Sequence, residues 1–368
     1  MLNERLLRNL DFVLIGVVVL LIGVSLMIIS SATHANTPGS EQFYYVQRQG
    51  VFALVNILLM FLFLNVDYNS LKRVAPWLYG LNLVMLLAVM FVGHSALGAQ
   101  RWIQIGPINL QPSEFSKLIM IIALAQMLED RKGGLNQWRD ILPIFLYVGI
   151  PFILVLKQPD LGTALVFMAI LFGMIFVAGI NGRLLMMLFG GATVLMPIFW
   201  HFLKDYQKMR LSVFIDPNVD PLGSGYHIIQ SKIAIGSGML LGKGLFGGTQ
   251  SQLNFLPENH TDFIFAVIGE ELGFVGAALI LVLYLILLYR GIKIASTAKD
   301  DFGTLLAVGI TSMLGFHVLV NVGMTAGIMP VTGIPLPLMS YGVSALTTNL
   351  MAIGLLLNIY MRRQKIMF

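Results

Sequence analysis

The chain has 368 residues, 57% of them hydrophobic and only 11% charged, with a formal net charge of +5. Soluble domains carry roughly 25% charged residues, so this composition, with a mean hydropathy of +0.83, excludes a water-soluble globular body and points to a polytopic membrane protein. The absence of cysteine excludes a disulfide framework and thiolate metal ligation.

The first apolar run, Phe12 to Ile29, lacks a small-residue cleavage pattern before the polar stretch and reads as a retained helix rather than a signal peptide. Apolar runs of spanning length follow near 48–66, 75–93, 113–128, 141–157, 161–180, 184–203, 262–289, 303–326 and 340–361. The expectation is an all-α polytopic membrane protein, one domain over 1–368, with ten transmembrane helices. Connections on the side of the termini are short and basic, carrying Arg5, Arg8, Lys72, Arg73, Arg131, Lys132, Arg139, Arg183, Arg290, Lys293, Lys299, Arg362, Arg363 and Lys365. The positive-inside rule therefore places both termini in the cytoplasm. The basic excess is a topology signal, and no nucleic-acid partner is expected. The external side holds the mixed loops: one near 32–47, one at 94–112, the turn Lys157 to Asp160, a large loop at 204–261 between helices 7 and 8, and a Pro/Gly-rich stretch at 327–339. A membrane protein with its long loops on one face is expected to work on that face.

Four external clusters carry the polar chemistry. Arg101 lies in Gly98 to Ile103, and Gln111-Pro112-Ser113-Glu114-Phe115-Ser116-Lys117 opens a helix. Glu114 and Lys117 are three residues apart on one helix face, a pairing that lowers the cost of both charges in lipid. That pair reads either as a packing device or, with Arg101, as part of a site for the phosphates of an anionic lipid. Asp160 follows Pro159 at a helix start, where a cap and a catalytic acid are both open readings. In the large loop, Lys208, Arg210 and Lys243 stand among glycines whose amides can hold a pyrophosphate, although no P-loop spacing is present. Asp262 ends the run Asn254 to Thr261 at the mouth of an apolar segment. A carboxylate there faces a cavity, a partner or a substrate rather than lipid, or else caps the helix. On the same helix Glu270 and Glu271 fall about 12–14 Å further along the axis, so no paired-carboxylate site forms from this segment alone. They read as hydrogen-bonding groups within the bundle, as do His317 and Asn321. The six histidines show no zinc-binding spacing.

Taken in order, Gln111-Pro112-Ser113-Glu114, Gln158 to Thr163, Ala234 to Gly238, Gly248-Thr249-Gln250, Leu253 to Phe265 and Pro330 to Pro337 resemble the SEDS family, the shape, elongation, division and sporulation membrane proteins of bacteria. The likeness runs from the first helix to the last, and Asn254 to Asp262 is closer to the rod-elongation branch than to the division branch. Val343, in Tyr341-Gly342-Val343-Ser344, stands where the family more often has a second glycine, with a local packing effect expected. The resemblance implies a peptidoglycan glycosyltransferase of the bacterial cytoplasmic membrane that polymerises lipid II. It implies Asp262 as the essential acid, a working cavity lined by the large loop with Glu114, Lys117 and Asp160, and a class B penicillin-binding protein and other elongation-complex proteins as partners.

The linkage chemistry fits one displacement. Lipid II carries its sugar on an α-linked pyrophosphate and glycan strands are β-1,4 linked, so a single inversion needs one base and a stabilised leaving group. Asp262 would accept the proton of the acceptor 4-hydroxyl, a contribution of about 10²–10⁴-fold. Arg101, Lys117, Lys208, Arg210 and Lys243 are candidates for the departing pyrophosphate, as is a divalent cation, Mg or Mn. No organic cofactor is expected. The rival readings are a lipid II flippase and a non-catalytic scaffold for the crosslinking enzyme. For a single-span partner, Gly323, Ala326, Gly342 and Ala345 are the expected close-approach positions.

Overall fold

The computed structural model describes residues 9–34, 43–96, 99–106, 108–131 and 134–363. The expectations attached to Arg5, Arg8, Gly98, Lys132, Lys365 and the 35–42 part of the first loop lie outside these residues.

The apolar runs form α1 (Phe12–Thr33), α2 (Tyr44–Phe63), α3 (Leu71–Val92), α4 (Pro112–Glu129), α5 (Trp138–Lys157), α6 (Leu161–Val177) and α7 (Gly182–Phe202). The large loop adds the shorter α8 (Asp205–Ile215), α9 (Ser224–Ser237) and α10 (Thr249–Gln252), and α11 (Ile264–Thr297), α12 (Asp301–Thr325) and α13 (Val343–Met361) complete the chain. Among the described residues, seven helices are long and apolar enough to cross a membrane. Of the other long helices, α6 and the apolar part of α7 are shorter, and α4 carries Glu114, Lys117 and Glu129 within its 18 residues. The chain is a helical polytopic membrane protein.

The all-α expectation needs one correction. The 94–112 connection contains an antiparallel three-stranded sheet, β1 (His94–Ala96), β2 (Ala99–Ile105) and β3 (Ile108–Leu110), in the order β1-β2-β3. Ile103 pairs with Leu110, Gln104 with Asn109 and Ile105 with Ile108. The alternation Arg101, Trp102, Ile103, Gln104, Ile105 suits a strand with two unlike faces, and Gly106, at φ +60°, supplies the left-handed residue that reverses the chain.

Carboxylates start several helices. Asp11 accepts from the Leu14 amide at 3.0 Å at the head of α1 and pairs with Arg290 of α11 at 2.5 Å. Asp300 accepts from Gly303 N at 2.8 Å at the head of α12, which supplies an acceptor for amides that have no partner within the helix. Most residues of α4, α6, α12 and α13 are buried. By contrast α2, α3, α5 and α7 leave large apolar side chains exposed, among them Leu54, Phe91, Leu146 and Met186. In a membrane that outer belt faces lipid, so the inner helices must associate by close packing. Gly309 provides such an approach: a Cβ there would lie 2.7 Å from Ile121 and 2.8 Å from Met174 Sδ.

The eighth long helix is not continuous. Gly273 interrupts α11 at φ +67°, ψ −167°, a conformation restricted to glycine. The segment 239–244 of the large loop lies across this break and takes up the backbone groups it frees. Lys243 N donates to Glu270 O and Gly244 N to Glu271 O, both at 3.0 Å, while Phe274 N donates to Met239 O at 2.9 Å and Val275 N to Leu240 O at 3.1 Å. Broken helices are tolerated at membrane depth where such partners re-satisfy the backbone.

Candidate active site

A cavity of about 560 Å³ opens where β2, the starts of α2, α4 and α6, helix α8, the turn before α11 and the 332–345 segment meet. Of the residues singled out from sequence, Arg101, Glu114, Asp160, Arg210 and Asp262 line it. Lys117 is withdrawn just behind Glu114, while Lys208 and Lys243 lie off its wall.

Asp262 is held by its backbone rather than by its carboxylate. Asn321 Nδ2 of α12 donates to Asp262 O and to Ile334 O, each at 2.8 Å, and Ser340 Oγ donates to the neighbouring Thr261 O at 2.6 Å. These bonds lock the turn at both ends and leave the carboxylate free of hydrogen bonds among the described residues. The half-buried side chain faces the cavity. Gly333, at φ +74°, leaves it room, since a Cβ there would sit 3.3 Å from Asp262 Oδ2. Burial is the largest influence on its acidity and raises the pKa from 3.8 to about 6. The Glu258 charge pushes in the same direction, against Arg210 and Arg101. A desolvated, unbonded carboxylate with such a pKa is a far better proton acceptor near neutrality than an ordinary aspartate.

Two guanidinium groups stand across from it. Arg101 donates Nε to Gln158 O at 3.1 Å and Nη2 to Pro159 O, and its Nη1 lies 3.7 Å from Asp160 Oδ1. Arg210 on α8 donates to Val331 O at 3.3 Å and lies over the Tyr206 ring at 5.9 Å. Burial lowers its pKa without discharging it, because arginine remains protonated at any ordinary pH. Asp160 caps α6: its oxygens accept from Thr163 N at 3.2 Å, Thr163 Oγ1 at 2.9 Å and Ser113 Oγ at 3.3 Å. Asp160 is therefore a helix cap that also lines the cavity.

Glu114 and Lys117 pair at 2.8 Å with almost no exposure. Lys117 Nζ also lies 2.9 Å from His317 Nε2, and His317 Nδ1 lies 2.7 Å from Met313 O. A carbonyl can only accept, so Nδ1 carries the ring proton and Nε2 accepts from the ammonium. Lys243 is engaged elsewhere: Nζ lies 2.8 Å from both Glu270 Oε1 and Thr249 Oγ1. The same carboxylate accepts from the Gln250 and Ser251 amides at the start of α10, so Lys243 fastens the loop to α11. Glu271 accepts from Ser31 Oγ at 2.5 Å. Of the close-approach positions expected for a single-span partner, Gly342 and Ala345 line the cavity and Gly323 packs on Met329. Val343 lines the cavity too, so its side chain shapes the site rather than packing alone.

Sequence reasoning did not single out several wall residues, notably Tyr44, Tyr45, Arg48 and Tyr341. Tyr45 and Tyr341 meet edge to face at 5.1 Å, with His260 5.0 Å from Tyr45. The one signal for this group was an arginine, Arg48, near the start of an apolar run. Among the described residues no three His, Asp or Glu side chains converge as a metal site.

Comparison with known proteins gives matches along nearly the whole chain. The FtsW/RodA/SpoVE cell cycle protein family matches residues 10–365. The peptidoglycan glycosyltransferase MrdB of Escherichia coli K12 is 41% identical over 359 residues, covering 94% of this chain and 93% of the relative. Stage V sporulation protein E of Bacillus subtilis is 40% identical over 363 residues, with 98% of each covered. Among solved structures, a chain of a peptidoglycan synthase complex that coordinates polymerization and crosslinking superposes with a TM-score of 0.81 at 34% identity, over 95% of this chain and 97% of that one. The rod shape determining protein RodA of Thermus thermophilus gives 0.72 at 32% identity, over 97% and 98%. With one family model spanning nearly its whole length and relatives matched end to end, this chain belongs to the FtsW/RodA/SpoVE family of cell cycle proteins.

Proposed function

We propose that this peptidoglycan glycosyltransferase polymerises lipid II at the outer face of the bacterial cytoplasmic membrane during cell elongation, with Asp262 as general base. The observation that carries the reading is the carboxylate of Asp262, its pKa raised to about 6, without a hydrogen bond among the described residues, and facing a cavity that also holds Arg101 and Arg210. Asp262 takes the proton of the acceptor sugar's 4-hydroxyl as that oxygen attacks the anomeric carbon of the donor. The new C–O bond forms on the face opposite the pyrophosphate, which leaves with the electron pair of the bond that breaks, turning the α linkage into β. Arg101 and Arg210 supply positive charge for the departing group. Asp160 and the Lys117–Glu114 pair shape the wall behind them. Among the described residues the side chains do not gather a metal site, and the positive charge for the leaving group comes from the two arginines.

The Lys/Arg asymmetry supports a topology with ten spans, cytoplasmic termini and an external 204–261 loop. The match to a chain from a synthase complex supports a class B penicillin-binding protein as crosslinking partner, within a larger elongation assembly. The test is lipid II polymerisation by purified protein without a transpeptidase. Wild type should make glycan strands and a folded Asp262→Asn protein should make none. Near wild-type polymerisation by that variant would end the assignment of the base.

A further inference from the structure

A second cavity, of about 500 Å³, lies at the other end of α5 from the Asp262 site, between the starts of α5 and α7. Its wall includes Trp138, Arg139, Asn181, Arg183, Leu184 and Met187. The two arginines are exposed, and neither guanidinium has a hydrogen-bond or ion-pair partner among the described residues. The nearest acid in sequence, Asp140, is occupied: its Oδ2 accepts from the Asn136 and Gln137 amides at 3.2 and 2.9 Å. The frame is built in advance. Asn181 N donates to Leu135 O at 3.1 Å, joining the segment before α5 to the turn before α7, and both Leu135 and Leu184 are buried beneath it. Two long helices begin here, so their dipoles add to the positive field of the guanidiniums.

The cavity does not end in water on every side. Leu142 and Leu146 of α5 and Met186 and Met187 of α7 are all exposed, and in a membrane these flanks face acyl chains. Trp138, 52% exposed, stands at the boundary, where indole rings settle at headgroup level. A ligand that meets both halves has an anionic phosphate head and an apolar tail.

We propose that this groove binds one anionic glycerophospholipid of the leaflet opposite the Asp262 cavity, its phosphate between Arg139 and Arg183 and its chains along α5 and α7. The apolar continuation favours a membrane lipid over a free phosphate, and the cationic pair favours an anionic over a zwitterionic head. The inference rests on the membrane-spanning assignment and not on the glycosyl-transfer reading, so either can fail alone.

Native mass spectrometry of the full-length protein, released from nanodiscs of equal parts phosphatidylglycerol and phosphatidylcholine, tests it. Wild type should retain phosphatidylglycerol preferentially. Arg139→Gln/Arg183→Gln should lose that preference by roughly 10–30-fold, the effect of two basic residues near an anionic surface. Arg139→Lys/Arg183→Lys should keep most of it, and all three proteins should elute as monodisperse species with similar melting temperatures. Equal retention of the two lipids by wild type, or undiminished preference in the glutamine variant, would overturn the site. Displacement of the bound lipid by millimolar sn-glycerol 3-phosphate would overturn the lipid assignment in favour of a soluble phosphate.

Discussion

Lys117 holds its ammonium 2.8 Å from Glu114, one turn away on α4, and both side chains are withdrawn from solvent. A buried pair of this kind costs much to assemble, yet removing one partner strands a desolvated charge, typically at about 3–5 kcal/mol. Glu114→Ala should therefore lower thermal stability and polymerisation sharply, and Lys117→Ala likewise. The double variant should lose less than the sum, with a coupling of roughly 1–3 kcal/mol. Thermal unfolding of the four proteins of the cycle reads this directly. Additive losses would show that the contact contributes nothing of its own.

The acidity of Asp262 sets a pH profile. With its pKa lifted from 3.8 to about 6, the base is lost by protonation below that value, so polymerisation should fall about tenfold per pH unit on the acid side. It should level off above neutrality. Stability should run the other way. Burial favours the neutral acid, so the contribution of this group is complete below pH 3.8 and lost as pH rises through about 6. Asp262→Asn, neutral throughout, should be the more stable protein at pH 8, by roughly 2–3 kcal/mol, and should have little advantage at pH 4. A rate profile flat from pH 5 to 8 would remove the carboxylate from the chemistry.

The break in α11 makes a graded prediction for glycines. A Cβ at Gly273 would fall 2.3 Å from Gly242 N, and one at Gly242 would fall 2.1 Å from Glu271 O. Both positions also have positive φ, so alanine at either should cost well above the 1–3 kcal/mol of backbone strain alone. Gly244, at φ +86° but with open space around it, should cost only that strain. Gly236, helical and uncrowded, should tolerate alanine or gain up to about 1 kcal/mol. Melting temperatures should be lowest for the Gly273 and Gly242 variants, intermediate for Gly244 and highest for Gly236.

Topology can be read with one thiol in this cysteine-free chain. Leu222 is 92% exposed in the large loop, whereas a Cβ at the neighbouring Gly223 would lie 2.3 Å from Asp220 Oδ2 and force that side chain to move. Leu222→Cys should react with a membrane-impermeant maleimide in intact spheroplasts. Labelling seen only after lysis would place the loop inside.

The long helices were legible because spanning segments announce themselves by unbroken apolar length. The expected 113–128 and 141–157 runs differ by only a few residues from Pro112–Glu129 and Trp138–Lys157. The sheet at 94–110 was not, because its strands are short and their alternation covers little more than Arg101 to Ile105. Charge pairing was read well within one helix, as at Glu114 and Lys117, and poorly across the chain. Lys243 carries no mark in sequence of its contact with Glu270, 27 residues on. Asn321 was read as a hydrogen-bonding group, but that it grips the backbone of Asp262 depends on a turn only the fold creates. Gly273 looks like any other glycine in an apolar run.

The sewing of 239–244 across the gap in α11 changes what counts as a replaceable part. A loop hung between two intact helices can be exchanged between relatives at its ends. Here the ends of the loop are not its borders: four main-chain bonds cross from Met239, Leu240, Lys243 and Gly244 to residues 270–275. A chimera that imports 204–261 alone divides that joint between two parents, and every mismatch falls on backbone groups that lipid cannot solvate. The modular unit is 204–275, loop and outer half-helix together, so recombination within this family should succeed with crossovers beyond Val275 and fail with crossovers at the helix mouth.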